Sequence, residues 1–306
     1  MSYRNFLLFV LLAAVWGSAF MAIKAGLEFF PPVLFAAIRY DVAGAIMLAY
    51  AALATDRWRP RTRAEWKLVV VGGVLLIAAY HTFLFIGEQG TTSAAAAVIV
   101  SLSPVLTTGF ARGLLPDERL TPVGVAGLLL GLVGVAILVR PEPGNLLAGD
   151  AVGRLLVFVA ALSFAFGSVL ARRFEADLPI ETMEAWSMLL GAAVMHAIAP
   201  LRGETFAAIQ WTPGAVWALA YLSIAASAVG FLIYFDLLER LGPVEINLVS
   251  YVAPIFAALS GWLFLGEVVD PATVVGFLVI VAGFGLIKRE ALAQELPKLR
   301  AALAGE

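Results

Sequence analysis

Cysteine is absent from the 306 residues, which excludes a disulfide framework and any thiolate metal site and leaves the redox compartment unreadable from cysteine usage. Two histidines, His81 and His196, are too few for a histidine-rich cluster, so no metal is expected. Charge is scarce as well: 14% of positions are charged, against roughly 25% in a soluble domain. With a net charge of -2 and no long basic run, nothing could track a phosphate backbone, and no nucleic-acid partner is expected. Catalytic signatures are missing too. There is no H-E-x-x-H metal helix, no G-x-S-x-G elbow and no G-x-x-x-x-G-K-[ST] loop, so the chain does not read as an enzyme, has no built-in nucleotide hydrolysis, and no cofactor is expected. Charged rings or pore loops that would mark a channel are not visible either.

What is present is apolar surface. Hydrophobic residues fill 62% of the chain, more than one core can hold, and burial in lipid is the physical alternative to exposure. Mostly apolar segments of about 20 residues, the length that spans the hydrocarbon layer as a helix, recur from end to end. They cover approximately 6–26, 33–54, 67–87, 92–114, 122–140, 152–172, 182–200, 213–236, 245–265 and 271–288. Proline stands at or near several starts, in Pro31-Pro32, Thr121-Pro122, Thr212-Pro213 and Asp270-Pro271, where no backbone donor is lost. The expected fold is an all-α integral membrane protein of ten transmembrane helices, with the lipid bilayer as its first partner and a tail at 290–306 on the cytoplasmic side. A signal-peptide reading of the first segment fits poorly with Trp16 and Lys24, and its pattern returns mid-chain.

Orientation follows from lysine and arginine, which stay on the cytoplasmic side. A cytoplasmic N-terminus puts Arg4, Arg57, Arg59, Arg61, Arg63, Lys67, Arg112, Arg119, Arg172, Arg173, Arg240, Lys288, Arg289, Lys298 and Arg300 inside, 15 of the 20 basic residues. Lys24, Arg39, Arg140, Arg154 and Arg202 are the remainder. Both termini are therefore expected in the cytoplasm.

The chain also repeats itself at an offset near 150 residues. Trp16-Gly17-Ser18 aligns with Phe166-Gly167-Ser168, and Pro104 aligns with Pro254. Glu118 and Glu267 are each followed by proline at +4 (Pro122, Pro271) and by glycine at +9 and +16 (Gly127 and Gly134, Gly276 and Gly283). Five spans per unit make the second unit enter the membrane from the opposite side, the inverted repeat of many secondary transporters, in which the solute sits near the midplane between the halves. A purely structural duplication is the alternative.

In Trp16-Gly17-Ser18-Ala19-Phe20, in Pro104 with Glu118, in Pro254 with Leu265-Gly266-Glu267 and in Arg172-Arg173, the chain resembles the drug/metabolite transporter superfamily of the type with two EamA domains. The resemblance covers nearly all of residues 5–289, with the first unit at 5–140 and the second at 150–289. It implies a secondary transporter in the cell inner or plasma membrane, monomeric or weakly dimeric, that exports small organic metabolites by alternating access. Exporters of amino acids, including aromatic ones, are the nearest functional analogue; another metabolite or drug class is the alternative. Ala19 stands where family members often carry asparagine or threonine, and Leu115-Pro116-Asp117-Glu118 replaces the usual Leu-Gly-Glu.

In-span polar and aromatic residues supply the candidate site. Arg39, about 9 Å beyond the start of the second segment, either holds a solute carboxylate or snorkels to the interface. Tyr80 and His81 lie about 20 Å along the third, in the central to outer part of the membrane, where a neutral imidazole can donate and accept. Trp16, Trp186 and Tyr251 are read as deep aromatic walls, with Ser101 and Ser163 as weak hydrogen-bonding groups, although core packing would explain each one singly. Pro104 and Pro254 interrupt the fourth and ninth segments at matching places, as paired hinges or as static bends. The glycines of the repeat are read as close helix contacts, and Glu118 and Glu267 as acids that favour a helix N-terminus.

Overall fold

A computed structural model of the chain describes residues 3–114, 122–139, 149–174, 176–242, 246–287 and 289. Glu118 and its neighbours 115–121, Arg140, Lys288 and the 290–306 tail lie outside the described residues. Among the described residues ten helices cross the bundle: α1 (Tyr3–Gly26), α2 (Pro32–Ala54), α3 (Arg63–Glu88), α4 (Ser93–Leu114), α5 (Pro122–Val139), α6 (Gly149–Ala171), α7 (Ile180–Leu201), α8 (Pro213–Leu241), α9 (Val249–Leu265) and α10 (Pro271–Ile287). Eight of them have the length and apolarity to span a membrane, and α9 and α10, at 17 residues each, fall at the short end of that range.

Their starts are written locally. Thr62, Thr92 and Thr212 each accept the amide of the residue three positions on at 3.2 Å, and Asp270 does the same for Thr273 at 2.9 Å. Thr62 and Glu65 complete a reciprocal capping box, so α3 begins four residues earlier than the apolar run at 67 suggests. Glu267, expected to favour the start of α10, instead accepts the Ser93 amide at 3.0 Å and so caps α4 in the other half of the chain. The outward surface is apolar, with Leu53, Trp217, Leu263 and Leu278 all exposed. That pattern suits lipid and would aggregate in water.

Two ends can be told apart. At the basic end Arg57 pairs with Glu65 and Asp177, and Thr182 donates to Arg57 O at 2.9 Å. At the acidic end Glu267 meets α4, Lys24 of α1 reaches the end of α3, and Glu204 caps α2.

The helix packing carries the repeat. α1 packs on α9 and α8 as α6 packs on α4 and α3; α2 packs on α8 as α7 packs on α3. α2 pairs with α7, and α5 with α10, each with its own counterpart. At the last of these contacts a Cβ on Gly127 would stand 2.6 Å from Gly283 O, and a Cβ on Gly283 would stand 2.6 Å from Gly127 O. Gly134 and Gly276 repeat the exchange at 2.8 Å in both directions. Reciprocity of this kind is what a two-fold axis through the contact produces, and since α5 and α10 run oppositely, the axis lies across the bundle.

One shared irregularity has no sequence counterpart in the reading above. α3 widens into a π-helix over Gly72–Ala79 and α8 over Tyr221–Val229, at the same register of the two repeats. Such widened turns disturb the regular backbone ladder and are frequent at functional sites. Carbonyls within them accept side-chain donors: Leu75 O from Ser163 at 2.9 Å, Ile77 O from His81 at 2.9 Å, and Ala226 O from Trp16 at 3.1 Å.

The Glu204 cap gives a direct test of the acidic-end packing. One carboxylate oxygen accepts both Val33 N and Leu34 N at 2.9 Å, in the first turn of α2. Glu204→Ala strands those donors at a helix N-terminus and should cost about 1–2 kcal/mol, read as a lower midpoint of thermal unfolding in detergent.

Candidate functional site

Arg39 organises the interior. Eight residues into α2, it is 6% exposed, so it does not snorkel to the interface. Its Nε donates to Ser227 Oγ at 3.0 Å, and its guanidinium carbon stands 5.1 Å from the Tyr40 ring centre and 6.0 Å from that of Phe85. Among the described residues no carboxylate pairs with it and its terminal Nη groups have no hydrogen-bond partner. A guanidinium held this way carries a charge that no carboxylate among the described residues compensates, which an incoming anion would stabilise.

The residues next to it are fixed by one another. His81 Nδ1 faces a carbonyl, Ile77 O, and so must carry the hydrogen; its Nε2 therefore accepts from Tyr40 OH at 2.7 Å. Both imidazole nitrogens are thus in use, and His81 positions Tyr40 instead of presenting a free polar atom. Tyr80 stacks edge-on against His81 at 4.5 Å and leans on Phe164 of α6 at 5.4 Å. Its hydroxyl lies within electrostatic reach of Arg39 and Tyr40 and has no hydrogen-bond partner among the described residues.

Trp16 walls the same region from α1, edge-on to Phe231 at 5.8 Å and tilted on Tyr234 at 5.4 Å. Its indole N–H is spent on Ala226 O, as the Ser163 hydroxyl is on Leu75 O. Ser101, 1% exposed, donates to Val98 O at 2.6 Å, where α4 breaks at Ser101 and Leu102. Pro104 follows that break in the first turn of the second half of α4, whereas Pro254 lies inside α9, so the two prolines have different settings. Tyr251 stacks on Phe284 at 4.5 Å, between α9 and α10, with its hydroxyl unpartnered. Trp186 stands apart from all of these. It is at the basic end, donating to Trp58 O at 2.9 Å and edge-on to Trp66 at 5.5 Å, beside a crevice of about 490 Å³ lined also by Arg59 and Arg61.

The structure therefore brings Arg39, Tyr80, His81 and Trp16 together and leaves Trp186, Ser101 and Tyr251 outside their circle. It adds Tyr40, Phe85, Ser227, Tyr234 and Glu184. Glu184, one turn into α7, lies within electrostatic reach of Tyr40 and Tyr234 and has no hydrogen bond or ion pair among the described residues. An acid inside a span is the same signal that singled out Arg39, so Glu184 was available to a reading of the sequence. Ser223 and Ser227, a helical turn apart and both fully buried, were a second such signal.

The EamA-like transporter family matches the chain twice, over residues 4–140 and 151–289. The uncharacterized transporter YvbV of Bacillus subtilis is 28% identical over 292 residues, covering 95% of this chain and 94% of its own. The uncharacterized inner membrane transporter YedA of Escherichia coli K12 is 31% identical over 271 residues, covering 83% and 85%. A crystal structure of a protein with 26% identity superposes with a TM-score of 0.66 over 96% of this chain and the whole of that one. Two matched copies in one chain, each a five-helix unit packed on its counterpart, lead to one conclusion: this protein belongs to the EamA-like transporter family.

Proposed function

We propose that this inner-membrane transporter exports amino acids with apolar or aromatic side chains, with the basic end and both termini in the cytoplasm. The observation that carries the reading is Arg39, a buried guanidinium with no counter-ion. Its free Nη groups suit a solute carboxylate as a bidentate, charge-assisted partner. The Tyr80 hydroxyl adds a neutral donor beside them, and Glu184 offers an opposite pole to the solute ammonium. Trp16, Tyr234, Phe231 and Phe85 form apolar walls for the side chain. Alternating access then requires one end of the bundle to open while the other closes, and the interrupted α4 and the proline-bearing α9 are the elements proposed to pivot, at Pro104 and Pro254.

Counterflow in liposomes tests the reading. Unlabelled phenylalanine or leucine inside the vesicles should drive accumulation of the labelled compound, and absence of stimulation by any amino acid would end the proposal. Glu184→Gln should raise the half-saturation concentration for phenylalanine about tenfold, equivalent to roughly 1.4 kcal/mol, while leaving its analogue without the amino group unchanged. Equal effects on both compounds would remove Glu184 from ammonium recognition.

A further inference from the structure

α3 ends on Glu88 at the acidic end, and that end is closed from several sides. The Glu88 side chain is 0% exposed, and among the described residues neither carboxylate oxygen has a hydrogen-bond partner. Among the described residues each charged group facing it is committed elsewhere, and the one neutral titratable group within electrostatic reach is the Tyr80 hydroxyl, two turns back on α3. Lys24 of α1 has three ammonium hydrogens, and its Nζ donates to the backbone oxygens of Glu88, Gln89 and Thr91 at 2.8, 3.2 and 2.9 Å. Glu267, beyond α9, accepts the Ser93 amide. Arg154 of α6 donates to Leu138 O and Thr91 Oγ1 and pairs with Asp270 at 3.5 Å. Arg39 of α2 acts on Glu88 only at a distance, its Nε being bound to Ser227. The first half of α4, Ser93–Val100, contributes no titratable group, and Glu28 is exposed on the rim.

A carboxylate with neither oxygen hydrogen-bonded and enclosed by protein is stable only without its charge. We infer that Glu88 is a proton-binding site: closure of the acidic end takes up a proton from the solution on that side, and opening returns it. On opening, water enters beside Gln89, the Glu88 O–H bond breaks, the proton leaves on water and the electron pair stays on the carboxylate. Lys24, released from the three carbonyls, is then the counter-ion at hand. The crevice already begun there, about 370 Å³ and lined by Lys24, Leu27, Glu28, Gln89, Leu265 and Glu267, marks the path by which water arrives. Because the closed state binds more protons, acid favours closure and alkali favours opening.

The chain has no cysteine, so a single introduced thiol is the only one in the protein. Leu27→Cys places it on the crevice, and the full-length protein in liposomes is labelled with a membrane-impermeant maleimide between about pH 5 and pH 9, a range that covers documented buried carboxylates. Dividing the rate by that of Leu27→Cys with Glu88→Gln cancels the intrinsic reactivity of the thiol. The ratio should rise with pH by up to about tenfold per unit, the limit for one linked proton. Infrared spectra of the wild type at neutral pH should carry the carbonyl band of a protonated carboxylic acid that Glu88→Gln lacks. A flat labelling ratio, or no band lost in Glu88→Gln, overturns the inference. Should Glu88→Gln not be recovered as a monodisperse protein, Glu88→Asp replaces it and must displace the midpoint of the pH dependence; an unmoved midpoint is equally fatal. The inference rests on the alternating-access reading, but the assay contains no solute, so its failure is separate from a failure of amino acid counterflow.

Discussion

Arg39→Ala should abolish measurable counterflow at ordinary solute concentrations. Truncating one member of a buried charge pair costs about 2–5 kcal/mol, so the half-saturation concentration for a carboxylate-bearing solute rises at least about 30-fold. Arg39→Lys should recover only part of the loss, because an ammonium lacks the planar fork and the Nε hydrogen that reaches Ser227. Stability should move the other way. In the empty protein this guanidinium is a buried cation without a counter-ion, and replacing such a group by an apolar one of similar size is neutral or stabilising. Arg39→Met should therefore raise the thermal midpoint in detergent while eliminating transport. A variant that loses both transport and stability would make Arg39 a structural group bound to Ser227, and the carboxylate assignment would fall with it.

The second large effect lies far from any solute. Gly127→Ala places a methyl carbon 2.6 Å from Gly283 O, and Gly283→Ala places one 2.6 Å from Gly127 O. The added carbon on Gly283 meets only backbone, Gly131 N at 2.9 Å besides Gly127 O, whereas that on Gly127 also meets Ile287 Cγ1 at 2.6 Å. In both cases a carbonyl must give way, so α5 and α10 separate, and overpacking of this kind costs about 1–3 kcal/mol. Both substitutions should lower the thermal midpoint, Gly127→Ala by more, because it adds the Ile287 side chain to the carbonyl clash that the two share. Their combination should cost less than the sum, since helices already forced apart accommodate the second methyl. Gly113→Ala, with nothing within 4 Å of the added carbon, is the matched control and should be neutral or slightly stabilising. A Gly283→Ala effect no larger than that of Gly113→Ala would argue against the close helix contact.

What could be read from the sequence divides along physical lines. Spans were legible because length and apolarity are properties of a segment taken alone, and the error at α3 arose where a capping box carried the helix into polar residues. Arg39, Tyr80 and His81 were legible because polar groups in lipid-spanning helices need a reason to be there. Trp186 was not, because its place is set by the residues 57–62 folding back onto α7 through Trp58 O and Thr182. Trp16, Ser163 and Ser101 look like groups offered to a ligand until the backbone is seen, since the carbonyls that take their hydrogens sit at π segments or at a helix break. No composition or spacing announces such carbonyls. Glu88 belongs to the same class: as the last residue of an apolar helix it reads as a solvated terminus, and only the enclosing chain makes it buried.

The paired π segments also act as rotational settings. One residue more or less in a helix turns everything beyond it by about 100°, and a widened turn holds an added residue without passing that rotation on. Rewinding Gly72–Ala79 as ordinary α-helix with every residue kept would pass that rotation on and swing Tyr80, His81 and Phe85 to another azimuth, away from Tyr40 and Arg39. Tyr221–Val229 holds Phe231 and Tyr234 facing Trp16 by the same winding. The bearing of the aromatic wall in each half is thus dialled by how tightly eight or nine residues coil.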